Sequence, residues 1–293
     1  MTGKRTRIPE ILYAALVALL VLMLLSGCGE QQTLMGRRGL DEGLVIVLPG
    51  IDGRAPHNEA ACKALREGET PIAVELYDWT APLGPLFNQR AVGRNRQMAE
   101  RLARRIAAYR QAHPGRPVSL IGHSGGTAIA VWAAEALPEG ERVEAIVLLA
   151  SSLSPGYDLG KAMGRARSGI VSFHSSRDSA LLGTGTALFG TMDGKYTEAA
   201  GKVGFRTAEG DNRAGADARL LQIAWTPDMA ESGNDGGHFS CLAAKFISAY
   251  VAPLVAAGQW DEGLIAAVRE GRGATYRPAL AALVSQRGAR STP

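Results

Sequence analysis

From residue 44 onward, short apolar runs rich in β-branched residues alternate with segments of helical spacing. The runs "LVIVLPG" (44–50), "IAVELYDW" (72–79), "PVSLIGHS" (117–124), "VEAIVLLASS" (143–152), "GIVSFHSS" (169–176) and "RLLQIAWT" (219–226) read as strands. They are continuous rather than alternating, as expected of strands covered on both faces. Between them, "NEAACKALREG" (58–68), residues 93–112 and "GGTAIAVWAAEALP" (125–138) carry helical patterns, and two more helices are expected near 239–252 and 260–269. The helix over 93–112 stops at His113-Pro114-Gly115, where proline and glycine both oppose continuation. Strand and helix in alternation predict βαβ units. The expected architecture is α/β: a doubly wound, mostly parallel sheet with helices on both faces, spanning 43–270 as one domain. A chain of 293 residues that is 46% hydrophobic can fill such a core.

The N-terminus has a different character. Lys4, Arg5 and Arg7 precede the apolar run "ILYAALVALLVLMLL" (11–25), which "LSGC" (25–28) follows directly. A basic segment, an apolar segment and small residues make a signal peptide, read here as 1–27. The last four residues resemble the lipobox of bacterial lipoproteins, which implies cleavage before Cys28 and a lipid on that cysteine. An uncleaved membrane-spanning anchor is the alternative. Residues 28–42 then read as the acylated cysteine and a polar, flexible tether, and 271–293 as a polar C-terminal tail. Lipidation implies an envelope location, anchored to a membrane. In Gram-negative lipoproteins an Asp after the cysteine marks inner-membrane retention, so Gly29 favours the outer membrane if the cell is of that type.

Charge narrows the partners. The net charge is +4, of which +2 sits in the first 27 residues, too mild a balance to argue for nucleic acid. Arg96, Arg101, Arg104, Arg105 and Arg110 cluster on one predicted helix. Met98, Leu102, Ile106 and Tyr109 run down a face of the same helix, so the arginines read as its solvated side. No His-x-x-x-His or Cys-x-x-Cys spacing signals a metal, and no cofactor motif is present. No internal repeat and no oligomeric interface are signalled.

The stretch "LIGHSGGTA" (120–128) places Ser124 between Gly122 and Gly126 where a strand gives way to a helix. Gly-x-Ser-x-Gly is short and the chain holds 36 glycines, so the context decides its meaning. A strand turning sharply into a helix holds its serine in a strained conformation and needs small residues two positions to either side. Ser124 has that context, and the chain resembles the α/β-hydrolase family. The resemblance covers about 44–250 and implies a serine nucleophile followed in the chain by an acid and then a histidine, each after a later strand. His57 and His113 precede the serine, His123 points away by strand alternation and His174 lies within a strand. His238, in "DGGHFSC", is the expected general base. Asp178, in "FHSSRDSALL", is the expected acid. Asp158 is the alternative one strand earlier, and Asp228 and Asp235 are the leading remainder. The family pattern assigns the oxyanion-binding N–H groups to Gly125 and to Ile51, the residue after Pro49-Gly50. The same pattern puts Cys62 and Cys241 on helices covering one face of the sheet, which allows a disulfide between them. Two separately buried thiols are the alternative.

The resemblance therefore implies a membrane-anchored serine hydrolase of the EC 3.1.1 class, carboxylesterase or lipase-like, acting on a small-molecule or lipid ester. An acyltransferase or amidase using the same residues is a rival, as is an inactive hydrolase-fold binding lipoprotein. Only about 16 residues separate Ser152 from Gly169, so no large cap domain fits there. Cover for the site is expected from 80–93 and 179–218. Their Leu83, Leu86, Phe87, Leu181, Leu182, Leu188 and Phe189, with Trp79 just before the first, either line an acyl pocket or pack the domain.

Overall fold

The computed structural model describes residues 32–35, 39–68, 72–178, 189–206 and 219–276. The signal peptide, Cys28, Leu181, Leu182, Leu188 and the tail beyond Tyr276 lie outside the described residues.

The elements are β1 (Gln32–Met35), β2 (Leu44–Leu48), α1 (Pro56–Glu67), β3 (Ala73–Tyr77), α2 (Pro85–Arg90), α3 (Val92–Ala112), β4 (Val118–His123) and α4 (Gly126–Glu135). There follow β5 (Val143–Leu149), α5 (Gly160–Gly164), β6 (Ala166–His174), α6 (Ala200–Val203), β7 (Leu220–Ala224), α7 (Ala244–Phe246), a π-helical segment (Ile247–Val251), α8 (Ala252–Ala256) and α9 (Glu262–Arg269). The strands form a seven-stranded sheet in the order β1-β3-β2-β4-β5-β6-β7, parallel except for β1. All six strands read from the sequence are present and parallel.

Side-chain alternation along the strands divides the interior in two. Leu44, Ile46 and Leu48 of β2 and Leu120 of β4 join Leu102 and Ile106 of α3 and Ile129 of α4 on one face. Val45, Val47 and Ile121 join Leu65 of α1, Phe246 of α7 and Leu254 of α8 on the other. Both faces being covered explains why the strands are uniformly apolar. Helix α4 is buried at every position from Gly126 to Ala134, which accounts for its all-round apolar sequence.

Several expectations need correction. Within the stretch read as a tether, Gln32–Met35 is an edge strand paired antiparallel with β3. Its four residues are too few to show a period. At the other end, Gly273 is buried and the Tyr276 hydroxyl donates to Asp261 Oδ1 at 2.8 Å, so the fold extends past 270 into the stretch read as tail. The arginines of α3 are not simply a solvated face. Arg105 holds the fully buried Glu75 of β3 through two bonds (2.8 and 2.5 Å), Arg110 pairs with Glu141 at 2.8 Å, and Arg96 lies over the Trp132 ring. Burying a carboxylate inside a strand requires such a partner. The disulfide is absent. Cys62 and Cys241 do lie on the same face, but both are free buried thiols, and Cys241 Sγ is turned toward the His238 carbonyl oxygen at 3.4 Å.

The final helix is also less regular than its pattern. Pro253 has no N–H to give the preceding turn, and Ile247–Val251 winds as a π-helix just before it. Among the described residues, no helix is long and apolar enough to cross a membrane.

Candidate active site

Strand order reverses between β2 and β4, which leave the sheet at neighbouring positions and send their connections to opposite sides. Such a switch point opens a crevice at the carboxyl ends of the strands. The loop after β2 carries Pro49, Gly50 and Ile51, and the turn after β4 carries Ser124.

Ser124 has φ +51°, one of two non-glycine residues with positive φ among those described. A conformation this unfavourable persists only where its surroundings impose it. Its N–H donates to the Leu149 carbonyl (2.9 Å), and its own carbonyl accepts from the Thr127 hydroxyl (2.5 Å) and the Thr127 N–H (3.1 Å). Close packing fixes the same bend from both sides. A Cβ on Gly126 would fall 2.2 Å from the Leu48 carbonyl oxygen, and one on Gly122 would fall 2.6 Å from Thr127 Cα. Both glycines are therefore required by contact with backbone, as the motif predicts.

The structure brings Ser124, His238 and Asp178 together. His238 Nε2 lies 3.0 Å from Ser124 Oγ, and His238 Nδ1 lies 2.6 Å from Asp178 Oδ2. The two bonds use opposite ring nitrogens, so a carboxylate accepting from Nδ1–H leaves Nε2 bare to accept from the serine hydroxyl. Ser124 and Asp178 are buried and the His238 side chain is nearly so.

Asp178 follows β6, with its N–H on the Ser175 carbonyl at 3.1 Å. His238 hangs from the loop after β7. Buried Asn234 staples that loop, its Oδ1 accepting from Gly236 N–H (3.1 Å) and the Ser240 hydroxyl (2.9 Å) while its carbonyl accepts from Trp225 Nε1 (2.7 Å).

The alternative acids are occupied elsewhere. Asp158 accepts from Gly160 N–H at 2.8 Å and Asp235 from Gly237 N–H at 2.9 Å, both local turns, and Asp228 is exposed at the start of a 3₁₀ turn. Ile51 and Gly125 are in contact range across the crevice. A Cβ on Gly125 would meet Ile51 Cγ2 at 2.7 Å, with Trp79 and Met192 close behind. Among the described residues, neither the Ile51 nor the Gly125 N–H has an acceptor. Gly125 also stands at the N-terminus of α4, where the helix dipole favours negative charge. Among the described residues, no group of His, Cys, Asp and Glu is placed to hold a metal.

One residue set aside in the sequence takes part in the assembly. His123 points to the opposite face from Ser124, as alternation requires, yet its Nε2 lies 3.1 Å from the His238 carbonyl oxygen. A carbonyl only accepts, so Nε2 carries the hydrogen and Nδ1 is bare. That Nδ1 is buried without a partner among the described residues. Burial, then the adjacent His238, hold the His123 pKa well below the ordinary 6.5, which keeps this tautomer neutral. The 115-residue separation hides the contact from any local pattern.

The expected cover divides as well. Trp79 is core, its Nε1 donating to the Pro49 carbonyl at 2.8 Å, whereas Leu83, Leu86, Phe87 and Phe189 point outward.

This sheet, elbow and switch point are those of the α/β-hydrolase fold. A family model described as the alpha/beta hydrolase fold matches residues 85–180. Among solved structures, the chain is similar to Aspergillus fumigatus lipase B (12% identity, TM-score 0.49), covering 82% of this chain and 60% of that one. It is similar to LpqC, a poly(3-hydroxybutyrate) depolymerase from Bordetella parapertussis, at 13% identity and TM-score 0.47, covering 81% and 86%. Est1E from Butyrivibrio proteoclasticus is similar at 10% identity and TM-score 0.45, covering 77% and 93%. No curated protein matches the chain.

Proposed function

We propose that this chain is a serine hydrolase that cleaves carboxylic esters through an acyl-enzyme and is held at a bacterial envelope membrane by its N-terminus. The observation that carries the reading is the relay from Ser124 Oγ through His238 to Asp178, at 3.0 and 2.6 Å, with the serine on a strained bend.

In this reading His238 Nε2 takes the hydroxyl proton as Ser124 Oγ attacks the ester carbonyl. Asp178 holds the ring and stabilises the imidazolium. The N–H groups of Ile51 and Gly125 receive the developing oxyanion, a contribution of about 3 kcal/mol per donor. His238 then returns the proton to the leaving alcohol, and water attacking by the reverse route releases the acid. The membrane part of the reading rests on the sequence 1–28, with Cys28 as the acylated residue.

A fluorophosphonate probe is expected to label Ser124 in the wild type and not in Ser124→Ala. A series of p-nitrophenyl esters of increasing chain length is expected to be hydrolysed by the wild type alone. Equal rates for the two proteins would remove the nucleophile from the reading, and a folded wild type that takes no label would favour a binding role. Cys28→Ser is expected to move the protein out of the membrane fraction if lipid is what holds it.

A further inference from the structure

The register of the edge strand fixes where the N-terminal chain joins the fold. In β1, Gln32 pairs with Tyr77 and Met35 with Val74, so the strand runs antiparallel and begins at the carboxyl end of the parallel sheet. Ser124, Asp178 and His238 gather at that same end. Only Gly29, Glu30 and Gln31 separate Cys28 from Gln32, a reach of about 14 Å when fully extended.

At the same carboxyl end, on the connection that leaves β3, lies an apolar surface exposed among the described residues. From Thr80 to Gln89 the chain has no charged residue. Leu83 (63%) and Leu86 (51%) are exposed, as is Phe87 to a lesser degree. Phe189 (50%) and Tyr196 (66%) extend the surface from the neighbouring segment. The two segments are joined by Gln89 Nε2 donating to the Gly190 carbonyl (2.8 Å) and by Arg90 bonding the Tyr196 hydroxyl (3.3 Å). The surface borders the crevice, since Asn88 Nδ2 donates to the Ile51 carbonyl at 3.0 Å. Arg90 and Lys195 are exposed at its margin.

We propose that this face docks on the lipid bilayer, with Leu83, Leu86, Phe87 and Phe189 entering the interface and the crevice opening toward the membrane. The inference rests on the N-terminal anchoring proposed above and specifies which end of the domain that anchor presents. Large apolar side chains with cations at their margin suit an anionic lipid surface. The short linker delivers that surface to the end of the sheet where the exposed residues lie. A lipid on Cys28 tethers the domain without choosing which face turns to the bilayer, and a second, apolar contact fixes that orientation.

The test uses the full chain in vesicles of equal parts phosphatidylethanolamine and phosphatidylglycerol, some carrying doxyl-labelled acyl chains. Leu86→Cys and Glu139→Cys are each labelled with an environment-sensitive fluorophore, Glu139 lying on the loop before β5 at the opposite end of the sheet. Position 86 is expected to be quenched severalfold more than position 139. Adding Leu83→Glu and Phe87→Glu is expected to abolish quenching at 86 while the protein still co-sediments with the vesicles and melts at an unchanged temperature.

Co-sedimentation with equal quenching at 86 and 139, or with more at 139, would overturn the docking face and leave the anchor standing. Failure to co-sediment would overturn both. Protection of position 86 in detergent that rises with protein concentration would assign the face to a second copy of the chain. Quenching in Ser124→Ala should match the wild type, so the catalytic reading stands or falls separately.

Discussion

His123 lies behind the proposed base and holds its backbone through a single N–H. The His123 Nε2 bond to the His238 carbonyl fixes the height from which the imidazole reaches Ser124. Replacing it with phenylalanine keeps the ring volume and removes the donor, leaving a buried carbonyl with one partner fewer. His123→Phe is expected to lower kcat about tenfold, equivalent to roughly 1.4 kcal/mol, with KM little changed. His123→Gln, whose amide can donate from a similar position, is expected to recover part of the loss. Steady-state kinetics on one soluble ester would decide. A fall in KM-linked binding alone, or equal effects of both variants, would mean that the residue only fills space. At this scale the sequence was informative where chemistry is ordered along the chain. Serine, acid and histidine follow one another in chain order, after β4, β6 and β7. It was silent where a contact joins residues with no such order, as in His123 with His238 or Arg105 with Glu75.

The strand-to-helix bend between β4 and α4 depends on backbone atoms passing closely. A methyl group on Gly126 would sit 2.2 Å from the Leu48 carbonyl oxygen and 2.4 Å from that of Pro49, with no flexible side chain to yield. Gly126→Ala is expected to force β2 and α4 apart, costing about 1–3 kcal/mol or more, readable as a lowered urea midpoint. Gly93→Ala, in the first turn of α3 with nothing within 4 Å and, like Gly126, no positive φ, gives a comparison in which an added methyl meets no neighbour. An equal loss in both would show that contact with the Leu48 and Pro49 carbonyls is not what requires glycine at 126. The parallel strands were legible because burial on both faces makes them apolar throughout. The edge strand was not, because Gln32–Met35 is short and its pairing is decided by Tyr77 to Val74 across the chain. The six-residue α2 was also missed, since it holds less than two turns of any pattern.

Across the whole molecule, buried titratable groups set a window of stability. His123 and His174 are held neutral, both chiefly by burial, with His123 well below the ordinary 6.5. Below pH 6.5 the unfolded chain takes up protons that the folded chain refuses, so stability falls on acidification. Burial pushes the Cys62 thiol up to about 12 and raises that of Cys241 further. Above the ordinary thiol value of 9.0, the unfolded chain releases protons that the folded chain retains, so stability falls again. Urea unfolding is expected to show a plateau between about pH 7 and pH 9, with losses of about 1 kcal/mol or more on either side. A midpoint that climbs steadily through about pH 10 would contradict the alkaline limb.

The same two sulfurs give the molecule a built-in gauge. Cys62 in α1 and Cys241 beside the loop carrying His238 are sealed beneath one helical layer. A maleimide can reach neither until that layer lifts. Its rate of attachment therefore counts how often the fold breathes on the side that supplies the imidazole, with no need for engineered cysteines or for turnover.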